Sequence, residues 1–62
     1  MYYVGRQYIS ALMKEIREHE ERLEVLKLYY EEGLISEESY KYHREKIRKN
    51  IRDIWETIRE MM

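Results

Sequence analysis

Cysteine and proline are missing from this chain, and glycine occurs only twice. The absence of cysteine rules out a disulfide and any thiolate metal site. A chain of 62 residues leaves a large share of its surface wet, and folds this small lean on a disulfide, a metal or a partner. Two histidines are too few for a His-based metal site without carboxylate help. The support that remains is another protein surface, or a second copy of the chain.

A dominant charge of one sign is also absent. Charged residues make up 40% of the chain, yet the net charge is −1. That balance suits a long solvated helix or coiled coil in which both signs interleave. A protein held to nucleic acid mainly by phosphate contacts would be clearly basic. No apolar run approaches the roughly 20 residues a spanning helix needs, and no signal-peptide pattern opens the sequence. The expectation is a soluble, cytoplasmic protein with no membrane partner. Gln and Asn occur once each, while Glu, Lys, Arg, Ile and Tyr abound. This bias is that of heat-adapted proteins, where ion-pair networks gain value and labile side chains are lost, so a thermophilic, archaeal source is expected.

What the sequence does contain is helical periodicity. Ile9, Leu12, Ile16, His19, Leu23, Leu26 and Tyr30 recur at steps of three and four, the pattern of a heptad seam. Tyr40, Arg44, Ile47, Ile51, Ile54, Ile58 and Met61 form a second seam. Residues 1–5 do not continue the first stripe, and Gly5 weakens any helix through them. The spacing predicts one helix over about residues 6–32, a turn at 33–36 and a second helix over about 37–61. Together they form one helical-hairpin domain over residues 1–62.

The turn carries its own signals. Gly33 at the position after the C-cap can take the left-handed conformation without steric cost, with Leu34 placed to touch Tyr29 in a Schellman motif. Ser36 is a good N-cap, and Glu37 and Glu38 favour the dipole of the second helix. Ser39 stands where a capping box would have Glu or Gln, while Ile35 and Tyr40 suit a hydrophobic staple. A connection this short forces antiparallel neighbours. Folding back about it pairs positions whose numbers sum to roughly 70: Tyr30 with Tyr40, Leu23 with Ile47, Ile16 with Ile54, Leu12 with Ile58 and Ile9 with Met61. The fold class is all-α: an antiparallel two-helix hairpin, open to dimerisation into a four-helix bundle. Residues 15–24 hold five Glu and two Arg, and residues 41–52 hold six Lys/Arg and one Glu. The fold sets these stretches side by side, with Glu20 and Arg48 as flanking neighbours that select orientation more than they stabilise.

Several residues invite a functional reading beside a plain one. His19 in the first seam would be a metal ligand with Glu15 or a pH switch; the plain reading is a polar, register-setting residue. A di-iron bundle would need Glu-x-x-His on several helices, and Ile16 and Tyr40 stand where that Glu would precede His19 and His43. His43 is expected to pair with Tyr29 or to be solvated. Arg44, Arg48, Arg52 and Arg59 form a row with Trp55, suited to an acidic partner groove or to nucleic acid, or simply to solvent and intra-hairpin pairing. Trp55 lies beside the seam near Met13 and Met62, with Tyr2, Tyr3, Val4 and Tyr8 at the same open end. Trp, Tyr, Met and Arg are enriched in interface hot spots; the plain reading is self-packing of the N-terminal segment onto Trp55. Val25, Leu28 and Tyr42 form a smaller apolar set near the turn, a second contact area or the other face of a homodimer. No nucleophile–base–orienter set, phosphate loop or paired carboxylates in a concave site are visible, and two helices cannot enclose a ligand-sized pocket. No catalysis, cofactor or small-molecule substrate is expected.

Leu26, Tyr29, Gly33, Leu34, Ile35, Ser36, Glu37, Glu38 and Tyr40 reproduce the helix end, Gly-hydrophobic-hydrophobic-Ser turn, acidic pair and aromatic of the SHOCT domain, which residues 26–47 resemble. The resemblance covers about a third of the chain and implies an oligomerisation or interaction role without catalytic residues. The expectation departs from the family in a chain that stands alone and in helices that extend past the motif. Its size and charge balance also resemble small accessory subunits of archaeal DNA replication complexes, such as a replicative polymerase holoenzyme. The function expected is a non-catalytic protein–protein interaction module, an accessory subunit of a larger complex. The alternatives are a nucleic-acid-associated protein using the Arg row, or a self-associating four-helix bundle.

Overall fold

A computed structural model describes residues 4–62, with side chains from Arg6 onward. Two helices form, α1 over Val4–Glu31 and α2 over Glu37–Met61, and they pack as an antiparallel hairpin. α1 begins two residues before the position expected at Arg6, running straight through Gly5. A glycine inside a helix costs about 1 kcal/mol relative to alanine, too little to stop a helix of 28 residues that is already propagating. Among the described residues no helix is long and apolar enough to cross a membrane.

The turn is built from local hydrogen bonds. Gly33 has φ +78°, its N–H donates to the Tyr30 carbonyl at 3.0 Å, and the Leu34 N–H donates to the Tyr29 carbonyl at 2.9 Å. These two bonds define the Schellman motif. They matter more than usual here, because α1 ends on Tyr30 and Glu31 with no basic residue in its last turn to complement the dipole. Leu34 itself remains largely exposed, so the apolar contact that often accompanies the motif covers little. Ser36, extended at φ −74° and ψ 161°, caps α2, its side-chain oxygen accepting from the Ser39 N–H at 3.1 Å. Glu37 and Glu38 occupy the first turn of α2 and Arg59 the last, the favourable arrangement for its dipole.

Both expected seams face inward. Every seam residue of α1, and every one of α2 except Met61, is buried or half-buried. Met61 escapes because it ends its helix. Tyr30 and Tyr40 stack across the seam with ring centroids 4.6 Å apart. At the other end Leu12, Ile16 and Ile58 are 6%, 4% and 2% exposed, with Ile9, Ile51 and Ile54 packed around them. The fully buried core is therefore confined to the end remote from the turn. The turn half of the seam contains Tyr30, Tyr40 and Arg44, whose polar ends must stay near water or find partners. The molecule is a rod of 53 × 15 × 9 Å with a radius of gyration of 14.8 Å, against roughly 11 Å for a compact chain of this length.

The expected cross-helix ion pairs are not formed. Among the described residues Glu20 and Arg48 make no salt bridge, and the pair within reach is Lys41–Glu37 at 3.0 Å, one turn apart on α2. Exposed side chains gain little by such contacts and lose rotamer freedom in making them. The acidic stretch of α1 and the basic stretch of α2 lie side by side, and among the described residues no salt bridge joins them.

Candidate interaction surfaces

The seam divides the hairpin into two flanks of different chemistry. On the first, Trp55 of α2 and Met13 of α1 border one shallow depression with Ile16, Arg17 and Glu20, about 170 Å³ in volume. Trp55 is 44% exposed, so nothing in the described hairpin covers its indole fully. The other members of the expected cluster are dispersed. Met62 forms the C-cap, its N–H bonded to the Arg59 carbonyl at 3.3 Å, and its side chain is 91% exposed. Tyr8 is exposed as well, but it lies five positions before Met13, roughly 140° round the helix, and does not share its groove. Tyr2 and Tyr3 lie outside the described residues.

The Arg row occupies this same flank without its first member. Arg48, Arg52 and Arg59 are exposed. Arg44 is half-buried in the seam, its guanidinium carbon 5.2 Å from the centre of the Tyr40 ring. Its Nε is buried without a hydrogen-bond partner. Occupying a heptad seam position and an outer row are incompatible demands, and the seam prevails. Arg44 thereby lends no charge to a surface for phosphate, and the row keeps three exposed arginines on a chain of net charge −1.

On the second flank lies a larger open groove of about 590 Å³, bordered by Glu21, Arg22, Val25, Leu26 and Tyr29 of α1, Ile35 of the turn, and Ser39, His43 and Ile47 of α2. It gathers Val25 with Tyr29 rather than with Leu28 and Tyr42. Those two are exposed and lie by helical spacing on the sides away from the seam. Tyr42 instead meets His43 edge-on at 5.2 Å and has the Lys46 amine 5.3 Å from its ring centre. A sequence signal for this flank exists. Ser39, His43, Ile47, Asn50, Ile54, Thr57 and Met61 recur along α2 at steps of three and four, and none is Lys, Arg, Asp or Glu. This stripe free of permanent charge along a 25-residue helix shares Ile47, Ile54 and Met61 with the apolar seam and widens it toward Ser39, His43, Asn50 and Thr57.

His19 is half-buried in the seam. Its Nδ1 donates to the Glu15 carbonyl at 2.8 Å, since a carbonyl can only accept. That bond orients the ring along its own helix. Among the described residues no group of three or more His, Asp or Glu side chains converges as metal ligands would.

Comparison with known proteins gives no matching family, no matching curated protein and no matching solved structure.

Proposed function

We propose that this chain is a non-catalytic protein–protein interaction module, an accessory subunit that works by packing against a larger protein. The observation that carries the reading is Trp55, which remains 44% exposed beside the exposed Met13 on a flank that nothing in the described hairpin covers. Much of what is left open is apolar and aromatic: Met13, Val25, Tyr29 and Trp55 are all exposed. Trp55 beside Met13, with arginines above and below it on α2, has the residue types that anchor interfaces. The SHOCT-like stretch over residues 26–47 points the same way. The reading extends to a cytoplasmic protein of a thermophilic archaeon serving an information-processing assembly such as DNA replication, and composition and size are its support.

Affinity capture from cells of the source organism, with the wild-type chain beside Trp55→Ala, tests the proposal. One stoichiometric protein partner should be retained by the wild type and lost by the variant, with helical circular dichroism unchanged. A partner captured equally by both would remove Trp55 as the anchor. Retention that disappears between 50 and 200 mM salt, by the rough 10³-fold or more of a phosphate-driven complex, would favour nucleic acid instead.

A further inference from the structure

We infer that the flank of the hairpin opposite Trp55, where a stripe of α2 without Lys, Arg, Asp or Glu meets the groove beside Val25, binds a second copy of this chain, giving a two-fold symmetric four-helix bundle whose two turns lie at the same end. The inference goes beyond the proposed accessory role, because it concerns the flank opposite Trp55 and a partner identical to the chain itself.

Three observations converge on it. The first is the face: the charge-free stripe from Ser39 to Met61 runs the length of α2 and meets the groove lined by Val25, Tyr29, Ile35 and Ile47, which Glu21 and Arg22 edge on the α1 side. The second is area. The chain exposes 5521 Å², an excess of roughly 1,100 Å² over a compact monomer. A stable interface of standard size removes about 800 Å² from each partner. One self-contact on this face would bring each copy close to the surface of an ordinary small domain.

The third is charge, and it selects the arrangement. α1 is acidic over residues 15–24 and α2 basic over 41–52, and among the described residues Glu18, Glu21, Lys46 and Lys49 form no salt bridge. A two-fold axis parallel to the rod lays α1 of each copy over α2 of the other. The two helices then run antiparallel, at the heights α1 already has relative to its own α2. Glu21 comes level with Lys49 of the other copy, and by symmetry the pairing occurs twice. An axis across the rod would instead lay α1 on α1, acid on acid, and α2 on α2, base on base. An unrelated apolar helix has no reason to match an acidic half beside a basic half, whereas this chain carries both complements.

Sedimentation equilibrium of the full chain tests the inference, combined with distance measurement between nitroxide labels at Leu34→Cys. The expected result is a species of twice the 7.9 kDa chain mass at micromolar concentration. Label separation should be within about 25 Å, as helices packed 8–10 Å apart require. Val25→Glu, at an exposed position that the hairpin does not need, should weaken the dimer at least tenfold. Lys27→Glu, on the first flank beside Leu23 and Arg48, should leave it unchanged. Lys46→Glu with Lys49→Glu should weaken it, and Glu18→Lys with Glu21→Lys added to the same chain should restore it. A monomer at all concentrations up to 0.2 mM (a rough ceiling, corresponding to about −5 kcal/mol) would overturn the inference. So would a dimer indifferent to Val25→Glu, or labels separated by nearly the 53 Å length of the rod. Trp55→Ala should leave the dimer intact, so failure here and failure of the accessory role are read separately.

Discussion

The rings of Tyr30 and Tyr40 lie 4.6 Å apart and within 8° of parallel, joining the last turn of α1 to the first of α2. Offset stacking of this kind contributes about 0.5–1.5 kcal/mol beyond the area it buries. A double-mutant cycle of Tyr30→Leu and Tyr40→Leu should return a coupling energy in that range. The reading is the urea unfolding midpoint at one fixed protein concentration, since association would add to apparent stability. Strictly additive single mutants would mean that the stack contributes only its area.

Gly33 should resist substitution for conformational reasons alone. Its φ is +78°, and a Cβ built there meets no atom within 4 Å. Gly33→Ala should therefore destabilise by roughly 1–2 kcal/mol, without altering the helix packing. Gly33→Asn should lose less, because asparagine enters the left-handed region more readily. Thermal unfolding followed at 222 nm would separate the two. Equal losses would indicate steric crowding that the open site does not contain.

Arg44 offers a test of what a half-buried cation contributes. Its Nε lies buried and unpaired beside the Tyr40 ring. Arg44→Met keeps the stem and removes the unsatisfied donor, so stability should hold or rise by up to about 1 kcal/mol. Arg44→Ala removes the stem as well and should lose stability. A marked loss with methionine would show that the guanidinium's contact with Tyr40 outweighs its unpaired nitrogen.

Core substitutions should divide by position along the rod. Ile58 is 2% exposed among Leu12 and Ile16, and Ile58→Ala should remove about 2–5 kcal/mol, enough to unfold much of so small a domain. Ile47 is only half-buried at the wall of the open groove, and Ile47→Ala should be clearly milder. Denaturant midpoints of the two variants give the comparison. A reversed order would mean that the groove is covered in solution, as self-association on that flank would bring about.

Much of the fold was legible because several independent local signals agreed. Gly33 and Ser36 specified a turn, two periodic stripes of matching length flanked it, and pairing through a sum of roughly 70 followed. The Tyr30–Tyr40 stack and the Leu12–Ile58 cluster lie where that pairing sets them. The start of α1 was less legible, since the propensity of Gly5 is a weak force against propagation. Which half of the seam would be dry was also hidden. A heptad pattern records which side faces inward, not how deeply, and depth depends on whether aliphatic branches interdigitate or tyrosines and an arginine hold a space open. Of the candidate site residues, Met13 and Trp55 were brought together because they flank facing seam positions. Met62 stands one heptad on from Trp55, at nearly the same rotation about the axis, but it lies past the end of α2 with its side chain exposed, and Tyr8 shares only the end of the rod, being turned roughly 140° from Met13. Arg44 belongs by spacing both to the seam and to the outer row, and its side chain occupies only the seam.

The aliphatic cluster of Leu12, Ile16 and Ile58 is at the far tip from the bend, so the hairpin fastens like a bracelet whose clasp is opposite its hinge. The hinge forms from bonds between near neighbours in sequence. The clasp closes only when positions at opposite extremes of the polypeptide find each other, which ties the fate of the whole length to its last few turns. Trimming α2 back past Ile58 should therefore release both arms, whereas lengthening the bend by a few flexible residues should be tolerated.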